Sequence, residues 1–328
     1  MNNRRKVLMG TAAAVAATAF PAGMAWAQKS NWPSKTVTLI VPTSPGGGND
    51  TMARLIAQRL GPMIGQTIIV ENRAGANGSL ATEAVARANP DGHTLLWGYI
   101  ATHSMNPALQ KLRYDPIADF EPIALVGYSP TVMVTNTKSG FSTVKELVSQ
   151  LKAKPSSHAY ASAGNGTAPH FAAELFSLRA GVKMLGIPYK GSAPALQDTM
   201  SGQTQVMFPS LFSAMPHVKS GRLRALAIAG PKRSTQLPDV PTLKELGIDG
   251  VEVQQWYGFF APAKTPPDVV SRLHQLINRI LSDDDIVKQI EGQGADVETV
   301  TQAEFASILK SELTKWRQVV ASANITPD

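Results

Sequence analysis

Residues 37–60 read VTLIV-PTSPGGGND-TMARLIAQRL, and this stretch decides the fold. Val37 to Val41 is an unbroken β-branched, apolar run, the pattern of a strand buried on both faces. Pro42 ends it, and a glycine loop, Ser44-Pro45-Gly46-Gly47-Gly48-Asn49-Asp50, follows. Met52, Leu55, Ile56 and Leu60 then recur at helical spacing. Strand, glycine turn and helix make up the repeating unit of an α/β fold. Working outward, residues 66–71 (QTIIVE) read as a second strand and 94–100 as a third. Ser79 is expected to cap a helix over 80–88 that Asn89-Pro90-Asp91-Gly92 stops.

The alternation restarts downstream. Strands are expected at 131–135, 159–163, near 184–188, 204–208 and 223–229, with helices at 144–153, 168–179 and 193–201. Two similar α/β halves with parallel or mostly parallel sheets follow. The last third is helical. Val269, Val270, Leu273, Ile277, Ile280 and Leu281 form one stripe after Pro266-Pro267-Asp268. Thr301 and Glu304 have capping-box spacing ahead of Phe305, Ile308, Leu309, Leu313 and Trp316, which are packing residues.

A chain of 328 residues, 43% hydrophobic and 17% charged, suits two folded domains rather than a disordered polymer. It has no cysteine, which removes disulfides, thiolate metal sites, iron–sulfur clusters and thiol nucleophiles. The formal charge of +7 is partly a leader. Arg4-Arg5-Lys6, the apolar run Val7 to Phe20 and Ala25-Trp26-Ala27 read as a signal peptide over 1–27, cleaved after Ala27. The expected location is therefore the periplasm, by the general or the twin-arginine route. Removing three cations and no acid leaves +4, with the remaining bases scattered, so nucleic acid is not an expected partner.

Catalytic and cofactor signatures are missing: no Gly-x-Ser-x-Gly, His-Glu-x-x-His or Walker loop occurs. Gly46-x-Gly48 and Gly164-x-Gly166 lack the third glycine of a dinucleotide turn, and the six histidines have no ligand spacing. The expectation is no enzyme, no metal and no cofactor. What recurs is a junction in which a strand runs into glycine and a helix begins. It occurs at 45–50, at 162–169 (SAGNGTAP) and at 189–194 (YKGSAP). Free N–H groups of a first helical turn and the helix dipole favour an anion there, by ~0.3–1 kcal/mol per terminus. Hydrogen bonds to an ionised group add about 1.5–3 kcal/mol each. Two or three such termini on one carboxylate reach about 8 kcal/mol, micromolar binding, without any arginine. Asp50 and Asp198 read as framework hydrogen-bonding residues rather than acid–base catalysts.

The junctions, together with Glu71-Asn72-Arg73-Ala74-Gly75-Ala76-Asn77-Gly78, Tyr114-Asp115-Pro116, Leu237-Pro238-Asp239-Val240-Pro241-Thr242 and Trp256-Tyr257-Gly258, resemble the Bug/TctC family over essentially the whole mature chain. These are substrate-binding proteins of tripartite tricarboxylate transporters. The resemblance implies a type II periplasmic-binding-protein fold, two α/β lobes with a hinge and a ligand cleft between them. Lobe 1 would be 28–127 plus 253–328, and lobe 2 would be 128–252. It implies a monomeric receptor for a small organic anion, a carboxylate or dicarboxylate and among them aromatic acids, delivered to transporter membrane subunits. Carried over residue by residue, it assigns ligand binding to Ser44, Gly46, Gly47, Asp50, Thr102, His103, Ser162, Gly164, Thr167, His170, Lys190, Gly191, Ser192 and Asp198. Two positions depart from the family pattern. Thr43 stands where many relatives carry an aromatic ring, which opens the pocket or makes it more polar. Pro209-Ser210 replaces an Asp-Asn pair, which argues against an amino-acid ligand. The rival readings are a ligand sensor for a membrane signalling kinase and, further off, a dinucleotide-dependent enzyme.

Overall fold

The computed structural model describes residues 32–323 and 325–326. The expected signal peptide lies outside the described residues. β1 (Val37–Val41) forms as its composition requires, with Leu39, Ile40 and Val41 sealed from solvent. α1 (Gly48–Ile64) covers it with Met52, Ile56 and Leu60. The chain continues through β2 (Ile68–Asn72), α2 (Ser79–Ala86), β3 (Thr94–Tyr99) and α3 (Asn106–Leu109). Both β2 and β3 pair in parallel with β1. Ser79 is not the cap of α2. A tight turn over Ala76–Gly78 leads straight into the helix, so Gly78, at φ 90°, takes the cap position and Ser79 falls inside.

The largest departure from expectation is β4 (Phe120–Asn136), 17 residues long where the pattern marks only 131–135. Pro122, Gly127 and Pro130 speak against a strand, since proline gives the ladder no donor and glycine weakens it. The strand absorbs Pro122 and Gly127 at register shifts between Pro122 and Ala124 and between Leu125 and Gly127, while Pro130 pairs with Gln254 in unbroken register. Beyond it come α4 (Val144–Ala153), β5 (Ala159–Ser162), α5 (Ala168–Ala180), β6 (Leu185–Pro188), α6 (Ser192–Ser201) and β7 (Val206–Met207). α7 (Leu211–Lys219) has no counterpart in the sequence reading, where Pro216 masks it. Its Ser210 hydroxyl accepts the Ser213 N–H and caps the helix. β8 (Leu223–Ala229), β9 (Gln254–Pro262), α8 (Pro267–Leu281), α9 (Asp284–Glu291), β10 (Asp296–Val297) and α10 (Gln302–Ala323) complete the chain. Glu304 and Thr301 form the expected capping box ahead of α10, and Trp316 is buried.

Strand order runs β2-β1-β3-β9-β4-β7-β5-β6, with β8 and β10 also paired to β4. The sheet is mixed rather than mostly parallel. Its two wings are parallel, but β9 is antiparallel to both β3 and β4, and β7 and β8 are antiparallel to β4. β4 belongs to both halves. Phe120 to Pro130 pairs with β9, and Thr131 to Asn136 pairs with β8. The return passage is at Val253, whose N–H donates to the Ala229 carbonyl and whose carbonyl accepts from Thr131 N–H. One large apolar cluster runs through both halves, joining Trp256, Phe260 and Phe305 to Phe171, Phe176 and Phe208, and a smaller separate cluster in the second holds Val132, Leu196, Met207 and Leu223.

Candidate ligand-binding site

The parallel wings place all three glycine junctions at the carboxyl ends of their strands, where α/β sheets bind ligands. The first is braced by its own acid. Asp50 Oδ2 accepts the Gly46 N–H at 2.9 Å and Oδ1 accepts from Arg54 Nε at 2.8 Å. Arg54 Nη2 donates to Asn72 Oδ1 at 2.8 Å, and Asn72 Nδ2 donates to the Thr43 carbonyl at 3.1 Å. Both oxygens of Asp50 are thereby occupied in shaping the loop, and its charge is paired. Asn49 is engaged as well, accepting from Trp97 Nε1 at 3.0 Å.

The second junction is a small closed network. Ser162 Oγ accepts from Gly164 N–H at 3.3 Å, His170 Nδ1 accepts from Gly166 N–H at 3.2 Å, and Thr167 Oγ1 donates to the Gly164 carbonyl at 2.6 Å. Thr167 therefore sits at the cap position of α5 without capping it. At the third junction Tyr189 donates to Asp198 Oδ2 at 2.6 Å. Burial, reinforced by that carboxylate, pushes the phenol up to about 12. Asp198 lies in the second turn of α6 and holds the Tyr189 hydroxyl two residues before Gly191. Lys190 is exposed.

The junctions meet across the two halves. A β-carbon placed on Gly191 would lie 2.5 Å from Ser44 Oγ, one on Gly164 would lie 2.1 Å from Asn77 Oδ1, and one on Gly166 would lie 2.2 Å from Asn106 Oδ1. In each case a glycine of the second half is met by a side-chain oxygen of the first, so bare α-carbons are needed for the halves to close. Gly47 differs. Its φ of −83° is ordinary, and a β-carbon would meet nothing nearer than 3.8 Å. Ser192 is its neighbour across the gap.

Helix starts at this seam share one property. α1 begins at Gly47, α2 at Gly78, α5 at Thr167 and α6 at Gly191, and none has a side-chain cap. Their first-turn N–H groups have no partner within their own helix. Beside them Thr43 Oγ1, Ser44 Oγ and Asn106 Oδ1 are buried without a hydrogen-bond partner. This arrangement offers backbone donors and rotatable hydroxyls to an anion, and no buried cation.

Thr102 packs against the α2 start, a β-carbon on Gly78 coming 3.0 Å from its Cγ2, whereas His103 is enclosed in the core. Thr102 Oγ1 donates to the Tyr99 carbonyl at 2.9 Å. His103 is fully buried, stacked on Phe260 at 4.0 Å between ring centroids and edge-on to Phe120 and Trp256. Its Nδ1 lies 2.9 Å from Thr102 Oγ1, and burial lowers its pKa to about 3, so the ring is neutral. The structure places it in the aromatic core, behind the junctions rather than at them. Two residues at the seam escape the sequence reading, Asn77 as an individual side chain and Asn106 altogether. Asn77 was visible only inside a family motif, and no local pattern marks Asn106.

The profile of the TctC family, described as the tripartite tricarboxylate transporter family receptor, matches residues 52–325. The chain belongs to the TctC family. It is 36% identical to Protein BugT of Bordetella pertussis over 294 residues, 88% of this chain and 89% of that one. Among solved structures it resembles a protein of R. palustris with adipate, at 31% identity and TM-score 0.87, covering 90% of this chain and 99% of that one. It also resembles MatC from Rhodopseudomonas palustris with bound malate, at 35% identity and TM-score 0.85, covering 88% and 100%. TctC proteins are periplasmic solute-binding proteins, and the two-lobed periplasmic-binding-protein fold is the fold of this chain.

Proposed function

We propose that this TctC protein is an extracytoplasmic receptor that captures a small organic anion, a carboxylate or dicarboxylate, between its two lobes and presents it to the membrane subunits of a tripartite transporter. Lobe 1 is 28–127 with 253–328, lobe 2 is 128–252, and β4 and the Val253 passage join them. The observation that carries this reading is the set of four uncapped helix starts, those of α1, α2, α5 and α6, gathered at one seam beside buried hydroxyls. Adipate and malate, held by two similar proteins, are dicarboxylates and agree with it.

The chemistry is binding without reaction. Ser44, Gly46, Gly47, Ser162, Gly164, Thr167, His170, Gly191 and Ser192 form the ligand's surroundings, with Asp50 and Asp198 holding the first and third junctions in shape. Closure strengthens each N–H contact by excluding water, and a ligand that binds the closed form better shifts the population toward it. A thermal-shift screen of the ligand-free mature protein against carboxylates, followed by titration calorimetry, tests the reading. A sharp rise in melting temperature within one chemical series is expected. Flat melting curves across the panel would defeat it.

A further inference from the structure

The second half of the sheet carries a cavity of about 760 Å³ away from the seam, a volume in the range of small-molecule sites. Its walls include Asn136 at the end of β4 and His158, Gln205 and Arg222, which immediately precede β5, β7 and β8. The second and third glycine junctions follow the other ends of β5 and β6, so the cavity and the seam lie at opposite edges of one sheet. Asn136 is 6% exposed. Lys138 N–H donates to its Oδ1 at 2.9 Å, which makes the other end of the amide the donor Nδ2. Nδ2 has no hydrogen-bond partner among the described residues, and Gly202, which also lines the cavity, leaves it uncovered: a β-carbon there would lie 3.7 Å away.

Two permanent cations join that amide, and no aspartate or glutamate is among the lining residues. Arg222 Nε donates to Ser220 Oγ at 3.2 Å and Nη2 to His217 Nδ1 at 2.9 Å, which orients the guanidinium and leaves Nη1 over. Lys138 Nζ is unpaired among the described residues. Cations near helix ends often serve those ends, and α6 and α7 both finish here. Their last carbonyls are already engaged: Asp198 by Gln203 N–H, Thr199 by Gly202 N–H, His217 by Arg222 N–H and Val218 by Gly221 N–H. Neither cationic side chain is needed to close them. His158 supplies the one acceptor of note. Gln150 Nε2 donates to the Gly140 carbonyl, so its Oε1, 2.8 Å from His158 Nε2, takes that nitrogen's proton. Burial lowers the pKa of the ring, which is therefore neutral with Nδ1 as acceptor.

We propose that this cavity is a second binding site, for a phosphate monoester whose phosphoryl oxygens are held by Asn136 Nδ2, Lys138 Nζ and Arg222 Nη1 and whose alcohol part donates a hydroxyl to His158 Nδ1. A phosphoryl group brings roughly 1.5–2 negative charges and three acceptor oxygens, which match two cations and three donor groups, whereas a carboxylate brings one charge and two oxygens. Met200 is the one apolar side chain of the lining, so nothing there receives an acyl chain and the ester is a soluble one rather than a lipid headgroup. The site does not depend on the receptor reading of the seam. The test is calorimetric titration of the full mature protein with glycerol 3-phosphate, with glycerol and succinate as controls, repeated in Gly47→Asp so that binding at the seam does not count. The ester binds in both proteins, and Lys138→Gln or Arg222→Gln weakens it by about tenfold or more, the effect of one lost charged hydrogen bond. Both side chains are exposed, and melting curves check the fold of each variant. No binding of the ester at about 1 mM, binding lost in a folded Gly47→Asp, binding undiminished in both cation variants, or succinate binding as tightly as the ester in Gly47→Asp would each overturn the assignment. So would cosedimentation with phosphatidic acid vesicles in the absence of any binding of the soluble ester. If Gly47→Asp fails to fold, the two cation variants of the parent still decide the matter.

Discussion

Helix starts in this protein are of two kinds. Those of α4, α9 and α10 are closed by a side chain: Thr143 accepts from Glu146 N–H, Asp283 from Asp285 and Ile286 N–H, and Thr301 from Glu304 N–H. Those of α1, α2, α5 and α6, at the seam between the lobes, begin at glycine or at a threonine whose hydroxyl is turned away, and α3 and α8, which open at Met105 and Pro266, are uncapped as well. A capped start contributes to folding by satisfying its own donors. An uncapped start forgoes that and leaves the donors for something else. The contrast even separates neighbours. α7 begins beside Gly48, yet Ser210 caps it, so its N–H groups are not offered to the cleft.

The sharpest way to break this contrast is to convert one kind into the other. Gly47→Asp introduces a capping carboxylate on backbone that already has the extended geometry of a cap residue, φ −83° and ψ 171°. Binding of an anion should fall by more than about a hundredfold, since the new carboxylate occupies the N–H groups and repels the ligand. The melting temperature should hold or rise slightly, because aspartate and glycine caps differ by only a few tenths of a kcal/mol and a glycine is removed from the unfolded chain. Loss of stability together with binding would show that Gly47 serves packing instead. The reverse conversion is Asp283→Ala, which should cost about 1 kcal/mol in chemical denaturation and leave the ligand affinity unchanged. A change in affinity there would mean that capped starts also communicate with the cleft. The smallest effect is expected of Lys190→Ala. An exposed lysine contributes little, so affinity should shift by about twofold and the shift should vanish in high salt. A tenfold loss would make a side-chain cation, not the helix starts, the principal anion contact.

Local pattern made much of this architecture readable. The run Val37–Val41 announces a buried strand because five consecutive apolar or β-branched residues have no other comfortable setting, and the three junctions are marked by glycine followed by a helical stripe. The misses have physical causes. The first part of β4 is hidden by two prolines and a glycine, and the strand accommodates Pro122 and Gly127 by shifting register, a solution no single-strand pattern contains. α7 is hidden by Pro216. At the site, strand ends and turns are local features and could be found, but which side chains face them across the seam depends on how the two halves come together. Asn106 is 60 residues from Gly166 in sequence, and nothing in either neighbourhood names the other. His103 shows the same dependence. The resemblance assigns it to the ligand, and only the fold shows that the aromatic rings of β9, far along the chain, enclose it.

The pairing of β3 with β9 sets a timetable for the folding chain. Leu96 meets Phe260, and Tyr99 meets Tyr257, so the edge of β3 stays open until more than 150 further residues have emerged. Contacts so distant in sequence carry a large closure entropy and form slowly. The elements between β4 and β9 are consecutive and can assemble from neighbouring segments, whereas β3 must wait for the last third of the polypeptide. The exposure of the β3 edge to aggregation falls in the interval before β9 arrives to close the sheet.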